Sequence, residues 1–171
     1  MSALIPAWVD GELVAVEKLD VHRRGLLHKA VSVFVLCGTD VLIQRRAMGK
    51  YHTPGLWANT CCTHPDWGED PRDCATRRLR EELGVTGLTL EHKDRLTYRA
   101  AVGNGLIEHE RVDVFVSRVA RRIATAPNPD EVMQTDWVDM ADLFDRVQRT
   151  PEHYTPWLAI YLAEYAESIF A

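Results

Sequence analysis

The segment from Asn59 to Gly84 constrains this chain most, because it joins a motif of cysteine and histidine residues to a helix with clear ends. Asp70 is a favourable N-cap residue, and Pro71 suits the first helical position. Gly84 suits the C-terminal stop, where a left-handed backbone favours glycine. The pattern predicts a helix between Asp70 and Gly84.

The predicted helix has a buried face and a stripe that can border a cleft. Its buried face is formed by apolar residues at every fourth position: Ala75, Leu79 and Leu83. Arg78 and Glu82 are also four positions apart, on a neighbouring stripe. Cys62 and His64 lie in a predicted loop just before the helix. A thiol, an imidazole, a cation and a carboxylate in one place suit a metal-bridged phosphate.

Length and charge exclude several classes of function. A chain of 171 residues is expected to form a single α/β domain, residues 1–171, with a substantial core. The net charge of −5 gives no field that would attract nucleic acid or an anionic membrane. We therefore expect a small-molecule partner, and an anionic one would need a local cluster of cations.

Cysteine usage and hydropathy predict a cytoplasmic protein. The four cysteines, at 37, 61, 62 and 74, do not form the pattern of a disulfide framework. No signal peptide opens the chain, and no apolar run is long enough to span a membrane. A monomer and a homodimer are equally compatible with the sequence.

Periodicity and turn signals predict strands and helices along the whole chain. A hairpin is predicted for residues 8–17, with Asp10 and Gly11 at its turn. Further predicted strands cover residues 31–37, 41–46, 88–91, 95–102, 107–117 and 134–138. Further predicted helices cover residues 140–147 and 155–166, the second with Thr155 as its cap and Pro156 at its first position.

Three cations end the second predicted core strand: Arg45, Arg46 and Lys50. Such a run near a turn is usually a solvated surface. Because this run leads into the Cys/His segment, we expect it to border the same cleft.

Two carboxylates lead a valine stripe on the strand that begins at residue 107. The period of two places Glu108 and Glu110 on the face that carries Val112, Val114 and Val116. Carboxylates on an inward face are costly unless they bind a cation or take part in chemistry. His109 falls on the opposite face and is interpreted as a surface residue.

The predicted helix between Asp70 and Gly84 and the loop before it resemble those of a known family. We call this helix the box helix. The residues that match the second part of a Nudix box are Glu69, Arg77, Leu79, Glu81, Glu82 and Gly84. Thr63 replaces the usual opening glycine, and Arg78 replaces the usual acidic residue after the arginine. With the motif N-T-C-C-T-H-P from Asn59, the degenerate box is similar to that of type 1 isopentenyl-diphosphate delta-isomerases. The resemblance extends from about Lys18 to Trp157.

The resemblance implies a Nudix-like α/β/α sandwich with a mixed central sheet. It implies interconversion of isopentenyl and dimethylallyl diphosphate in isoprenoid biosynthesis. It also assigns Lys18, Arg46 and Lys50 to contacts with the diphosphate, to which Arg78 adds a further cation. The competing enzyme class is a Nudix diphosphohydrolase, which would need the carboxylate that Arg78 replaces. A small zinc-binding interaction module ranks last, because paired C-x-x-C spacings do not occur.

Two metal positions are expected. The first has three imidazoles and two carboxylates, which suit Mn²⁺, Zn²⁺ or Mg²⁺: His22, His28, His64, Glu108 and Glu110. His22 and His28 are six positions apart, so a loop or broken turn must bring them together, and surface or capping roles remain the alternative. Glu82 would hold a second ion, Mg²⁺, shared with diphosphate oxygens. The alternative for Glu82 is a solvated helix residue.

The isomerisation needs one group that delivers a proton to the alkene and another that removes a proton from the allylic carbon. Cys62 and Glu110 are the predicted pair, with the direction of transfer left open, and Tyr98 is the predicted partner of Glu110. An inert buried thiol and an ordinary strand tyrosine are the alternatives. Trp157 would stabilise positive charge with its indole face, or would only pack its helix.

Overall fold

In the computed structural model, residues 3–171 are described, and their strands form one nine-stranded mixed sheet. The strands are β1 (Leu4–Val9), β2 (Glu12–Glu17), β3 (His28–Cys37), β4 (Asp40–Arg46), β5 (Trp57–Ala58), β6 (Cys61–Thr63), β7 (Glu91–Ala101), β8 (Ile107–Arg118) and β9 (Val132–Asp139). The α-helices are α1 (Lys18–Arg24), α2 (Pro71–Leu83), α3 (Met140–Arg149), α4 (Pro156–Glu164) and α5 (Ala166–Phe170). None of these helices is long and apolar enough to cross a membrane.

Strand β3 organises the sheet. Along one edge it pairs in parallel with β8, from His28 beside Glu110 to Leu36 beside Arg118. Along the other edge it meets β1, β6 and β4 in succession, all antiparallel. Strands β6 and β8 therefore lie on opposite edges of β3, and β3 brings the residues that they carry into one region.

Helices cover both faces of the sheet, as predicted. Alternate residues of β3 and β8, such as Phe34 and Val114, pack in one buried cluster with Leu143 of α3 and Leu158 of α4. The intervening residues, such as Val33, pack with the buried face of α2, which consists of Cys74, Ala75, Leu79 and Leu83. This arrangement is an α/β/α sandwich.

Helix α2 has the predicted ends. The side chain of Asp70 accepts a hydrogen bond from the backbone N–H of Arg72 at 2.8 Å. Gly84 has φ of 64°, and its N–H is bonded to the carbonyl oxygen of Arg80. A Cβ atom at this position would lie 2.9 Å from Cβ of Ala126, so both backbone conformation and space require glycine here.

The first hairpin also matches its prediction. Asp10 and Gly11 have φ of 50° and 84°, the positive values that a tight two-residue turn requires. The following helix, α1, ends at Gly25 with φ of 64°. This break in the helix turns the chain so that His22 on α1 and His28 at the start of β3 point to the same place.

Four predictions of secondary structure are wrong in detail. Residues 88–90 are not a strand, and β7 begins at Glu91 instead. The predicted helix 155–166 is divided at Tyr165, and the side chain of Thr155 makes no capping hydrogen bond. Cys62 and Thr63 do not lie in a loop, because β6 pairs with β3 across Ser32 and Cys62. This short pairing depends on distant partners, which local patterns do not reveal.

Candidate active site

A cleft at one end of β3 collects eleven of the thirteen predicted site residues. They are Lys18, Arg46, Lys50, Cys62, His64, Arg78, Glu82, Tyr98, Glu108, Glu110 and Trp157. The other two, His22 and His28, are fully buried behind the cleft and contact Glu108. Three further residues line it without having been predicted: Tyr51, His52 and Thr63.

Glu108 lies at the centre of a histidine cluster. Its Oε1 is 3.0 Å from Nε2 of His22, and its Oε2 is 3.2 Å from Nε2 of His28. Nε2 of His64 lies 3.2 Å from Nε2 of His28. One ligand atom from each of these four residues falls within 4.8 Å of the others. The described cluster contains no cysteine, so it differs from the closed thiolate site of a zinc-binding module.

The donor atoms of this cluster fit a divalent cation. Nδ1 of His22 lies 2.6 Å from the carbonyl oxygen of Lys18, and Nδ1 of His28 lies 2.8 Å from that of Leu26. A carbonyl oxygen only accepts, so each Nδ1 carries a hydrogen and each Nε2 faces Glu108, to which it donates when protonated and where it can bind a metal ion when deprotonated. Histidines that bind metals are usually held in this way by a second hydrogen bond.

The two carboxylates draw positive charge into the cluster. Burial lowers the pKa of His28, but its hydrogen bonds to Glu108 and Glu110 outweigh burial and raise the pKa to about 10. Burial raises the pKa of Glu108, but hydrogen bonds from the surrounding histidines outweigh it and hold the pKa well below its usual range. The same field attracts a divalent cation.

His52 is a member of the site that the sequence analysis missed. Its Nε2 lies 2.5 Å from Oε1 of Glu108, and its Nδ1 lies 2.9 Å from Oγ1 of Thr53. The available signal was its position two residues after Lys50, in the segment already expected to border the cleft. His52 therefore contacts the same oxygen of Glu108 that His22 contacts.

Glu110 lies beside the four converging ligand atoms. Its Oε1 is 3.1 Å from Nε2 of His64, and its Oε2 accepts a hydrogen bond of 2.8 Å from the hydroxyl group of Tyr98. Burial and the charge of Glu110 raise the pKa of Tyr98 well above its usual value, so the phenol keeps its proton. Glu110 thus has one oxygen directed at the histidines and one held by a neutral donor.

Cys62 is held by two polar residues that the sequence analysis missed, Ser32 and Asn59. Nδ2 of Asn59 donates to Oγ of Ser32 at 2.8 Å and to the carbonyl oxygen of Val33 at 2.9 Å. Its Oδ1 is therefore left to accept from the thiol of Cys62 at 3.2 Å, and Oγ of Ser32 lies 3.1 Å from the same sulfur. A lone hydroxyl in the apolar run 31–37 was the available signal for Ser32.

The thiol of Cys62 is protonated in this environment. Burial, followed by the charge of Glu110, raises its pKa to about 12, against the opposing effect of its hydrogen bonds with Ser32 and Asn59. A protonated thiol beside a cleft is a proton donor, and its thiolate is an acceptor.

The predicted cations fall into two pairs. Lys18 Nζ lies 4.8 Å from the ring centre of Tyr51, and burial followed by the charge of Lys50 lowers the pKa of Lys18 to about 8. Arg46 donates to the carbonyl oxygen of His52 at 3.2 Å. Lys50 and Arg78 instead contact carboxylates. Arg45, expected at the cleft, does not line it and donates to the carbonyl oxygen of Gly55 at 2.8 Å.

Glu82 is a buried residue of the cleft wall. Its Oε1 accepts a hydrogen bond of 2.7 Å from Arg78, and its Oε2 accepts one of 2.9 Å from Gln44. Arg78 also reaches Glu131, which precedes β9, at 3.1 Å. Gln44 and Glu131 were not predicted, because their sequence surroundings are those of an ordinary strand and an ordinary loop.

Trp157 is 2% exposed and lines the cleft near the start of α4. The guanidinium carbon of Arg46 lies 5.2 Å from the centre of its ring, and the ring of His52 lies 5.7 Å away, edge-on. The indole therefore contacts the guanidinium group of Arg46, in addition to packing its helix.

Comparisons with known proteins identify the family of the chain. A family model for the NUDIX domain matches residues 26–158. A relative named isopentenyl-diphosphate Delta-isomerase from Dinoroseobacter shibae is 64% identical over 170 residues, which cover 99% of this chain and 97% of that protein. Relatives of the same name from Cereibacter sphaeroides and Ruegeria pomeroyi are 62% and 61% identical; the matches cover 99% of this chain and 96% and 94% of those proteins.

Solved structures share the fold at low identity. A crystal structure of a protein from Deinococcus radiodurans superposes with a TM-score of 0.72 at 17% identity, covering 98% of this chain and 99% of that chain. A MutT NUDIX hydrolase from Burkholderia pseudomallei superposes with a TM-score of 0.62 at 18% identity, covering 81% of this chain and 98% of that chain. These similarities confirm the predicted fold class.

Proposed function

Since the chain belongs to the NUDIX domain family and, within it, to the isopentenyl-diphosphate Delta-isomerases, we propose that it interconverts isopentenyl and dimethylallyl diphosphate. The acid–base pair in this proposal is Cys62 and Glu110. One observation carries the assignment of the pair. Cys62 on β6 and Glu110 on β8 lie on opposite edges of β3, and both side chains line the same cleft. Two proton-transfer groups that reach one cleft from different strands suit an allylic rearrangement.

The two proton transfers balance. A proton adds to the terminal carbon of the alkene, and a proton leaves the allylic carbon on the other side of the tertiary carbon, so the double bond moves by one position. One member of the pair donates and the other accepts, and the roles exchange in the reverse reaction. Ser32 and Asn59 hold the sulfur, while Tyr98 holds one oxygen of Glu110, so both groups keep fixed directions.

Positive charge develops at the tertiary carbon between the two transfers. A carboxylate in direct contact with this carbon would trap it, whereas an aromatic face stabilises a cation without forming a bond. The buried position of Trp157 in the cleft wall supports this role. A bound substrate that displaces water from the cleft would also prevent addition of water to the same carbon.

The diphosphate is assigned to the cations of the cleft: Lys18, Arg46, Lys50 and Arg78. Glu82 would hold Mg²⁺ next to the diphosphate, since it lines the cleft beside Arg78. The other metal position would hold Mn²⁺, Zn²⁺ or Mg²⁺. Its ligands would be His22, His28, His64 and Glu108, with Glu110 beside them. A divalent ion in this cluster would supply positive charge next to Glu110.

Hydrolysis is not favoured by the structure of the box helix. A diphosphohydrolase requires several box carboxylates that bind metal ions and activate water. Arg78 replaces one of them and neutralises Glu82 at 2.7 Å. A cation at this position suits substrate phosphate better than it suits an attacking hydroxide.

All the groups in this proposal belong to one chain, which we treat as one isomerase domain. A monomer is therefore sufficient, and a homodimer is equally compatible. We place the reaction in the cytoplasm, since all four cysteines are free thiols.

The proposal is tested by incubation of the protein with isopentenyl diphosphate and Mg²⁺, followed by ¹H and ³¹P NMR. Dimethylallyl diphosphate with both phosphorus signals retained is the expected product. Release of inorganic phosphate without allylic product would support the diphosphohydrolase.

A further inference from the structure

Glu131 lies between two of the cations assigned to the diphosphate. Its Oε2 is 2.5 Å from Nζ of Lys50, and its Oε1 is 3.1 Å from Nη2 of Arg78. The side chains of Lys50, Arg78 and Glu131 are 16%, 18% and 24% exposed, so the charges are partly withdrawn from solvent. A carboxylate therefore occupies the place where these two cations would meet a phosphate group.

The other two cations of the cleft are not neutralised in this way. Within residues 3–171, no carboxylate lies within 4.0 Å of Lys18 or Arg46. Lys18 instead contacts the ring of Tyr51, and Arg46 contacts that of Trp157. The cleft thus has one pair of cations open to an anion and one pair already bridged by Glu131.

The backbone of Glu131 is fixed, while its side chain reaches two cations that line the cleft. Its carbonyl oxygen accepts from the N–H of Ala47 at 3.0 Å, and its own N–H donates to the carbonyl oxygen of Asn128 at 3.0 Å. The adjoining residue, Val132, pairs with Arg46 in the sheet. Release of the carboxylate therefore needs only rotation about side-chain bonds, with no movement of the loop.

We propose that Glu131 is an internal counter-anion that the diphosphate of the substrate must displace from Lys50 and Arg78, and that it thereby selects diphosphates over monophosphates. This inference rests on the proposed function, which assigns both cations to the diphosphate. A ligand that displaces a carboxylate must bring more negative charge and more oxygen atoms than the carboxylate offers. A diphosphate has two phosphate groups for the two cation pairs, whereas a single phosphate group carries less negative charge and gains less from displacing Glu131.

Displacement also changes the surroundings of Glu82. Nη2 of Arg78 contacts both Glu82 at 2.7 Å and Glu131 at 3.1 Å. If Arg78 turns towards a phosphate oxygen, Glu82 loses its ion pair and gains an open oxygen. The exchange at Glu131 therefore prepares the carboxylate that is assigned to Mg²⁺.

The test replaces Glu131 by glutamine, which keeps the shape and removes the charge. Calorimetry measures the dissociation constants of inorganic diphosphate and inorganic phosphate, both with Mg²⁺, for wild type and Glu131→Gln. We expect Glu131→Gln to bind phosphate about fivefold more tightly, the order of one partly exposed ion pair, and to discriminate less well between the two anions. Glu91→Gln is the matched control, since it removes one negative charge at a side chain that is 63% exposed and outside the cleft.

A second variant separates failure of this inference from failure of the proposed function. Lys50→Met should weaken diphosphate binding. If Lys50→Met leaves diphosphate binding unchanged, the assignment of the cations in the proposed function is wrong. If Lys50→Met weakens binding but folded Glu131→Gln has unchanged or lower affinity for phosphate, Glu131 is only structural and the counter-anion is ruled out. Glu131→Ala, checked by circular dichroism, repeats the measurement should the glutamine variant not fold.

Discussion

The hydroxyl group of Tyr98 donates a hydrogen bond of 2.8 Å to Oε2 of Glu110, the residue directly opposite it on the neighbouring strand. The pairing of β7 with β8 fixes both backbones, so the carboxylate cannot turn without breaking this bond. The other oxygen of Glu110 lies 3.1 Å from Nε2 of His64. The carboxylate is therefore oriented from two sides, as a group that exchanges a proton with a fixed carbon requires.

Replacement of Tyr98 by phenylalanine should lower kcat by roughly tenfold and leave KM nearly unchanged, because the hydroxyl group orients Glu110 and does not bind the diphosphate. Steady-state kinetics with isopentenyl diphosphate measures both constants.

Tyr165→Phe provides a matched control. It removes a tyrosine hydroxyl that also bonds to β7, at the carbonyl oxygen of Thr97, but lies outside the cleft. Equal kcat values for Tyr98→Phe, Tyr165→Phe and wild type would show that the bond to Glu110 has no part in turnover.

Glu82→Gln should raise the concentration of Mg²⁺ needed for half-maximal activity, because an amide is a weaker ligand than a carboxylate. We expect the fold to be kept in Glu82→Gln, because the amide oxygen of the new side chain can still accept the hydrogen bond from Gln44. Activity is titrated with Mg²⁺ at saturating substrate. An unchanged requirement would remove Glu82 from the second metal position.

Trp157→Phe should retain part of kcat, whereas Trp157→Leu should lose much more. Phenylalanine keeps a weaker π-face and leucine keeps only apolar bulk, and a cation over an aromatic face is stabilised by about 0.5–2 kcal/mol. Thermal unfolding of both variants separates packing from chemistry. Equal turnover in two equally stable variants would leave Trp157 with a packing role alone.

The lowered pKa of Glu131 predicts that the free energy of unfolding falls in acid. Burial raises the pKa of its carboxyl group, but the bond and charge of Lys50 and the charge of Arg78 outweigh burial and lower it from 4.5 to about 2. Its stabilisation is therefore complete above pH 4.5 and is lost as pH falls towards 2. Wild type should exceed Glu131→Gln by about 1 kcal/mol in unfolding free energy at pH 6, and the difference should disappear near pH 2.

Urea denaturation at pH 6, 4 and 3 measures this difference. A gap between the two proteins that stayed constant over this range would show that the ion pairs of Glu131 do not stabilise the fold.

Local patterns were sufficient for the parts of the site that depend on one element. The ends of α2 follow from Asp70 and Gly84, which act on their own helix. The inward direction of Glu108 and Glu110 follows from the alternation of one strand. Convergence of His22 and His28 required only the break at Gly25. Each of these features is determined within one element and the residues next to it.

The site residues that the sequence analysis did not predict depend on contacts between segments that are distant in the chain. Ser32 faces Cys62 only because β3 pairs with the three-residue strand β6. His52 reaches Glu108 across 56 positions, and Glu131 reaches Lys50 across 81. A single histidine or glutamate in a loop has no periodic signal, so its partner emerges only from the tertiary structure.

The central claim, that Cys62 and Glu110 exchange the protons, is tested most directly by isomerisation in D₂O followed by NMR. The variants are Cys62→Ala and Glu110→Gln, with Cys37→Ala as the control thiol outside the cleft and with metal content measured in each. Wild type and Cys37→Ala should place deuterium in the methyl group formed from the terminal alkene carbon. Cys62→Ala and Glu110→Gln should be slower by about 10²–10⁴-fold. A folded, metal-loaded Cys62→Ala protein that kept half of the wild-type rate would contradict the account.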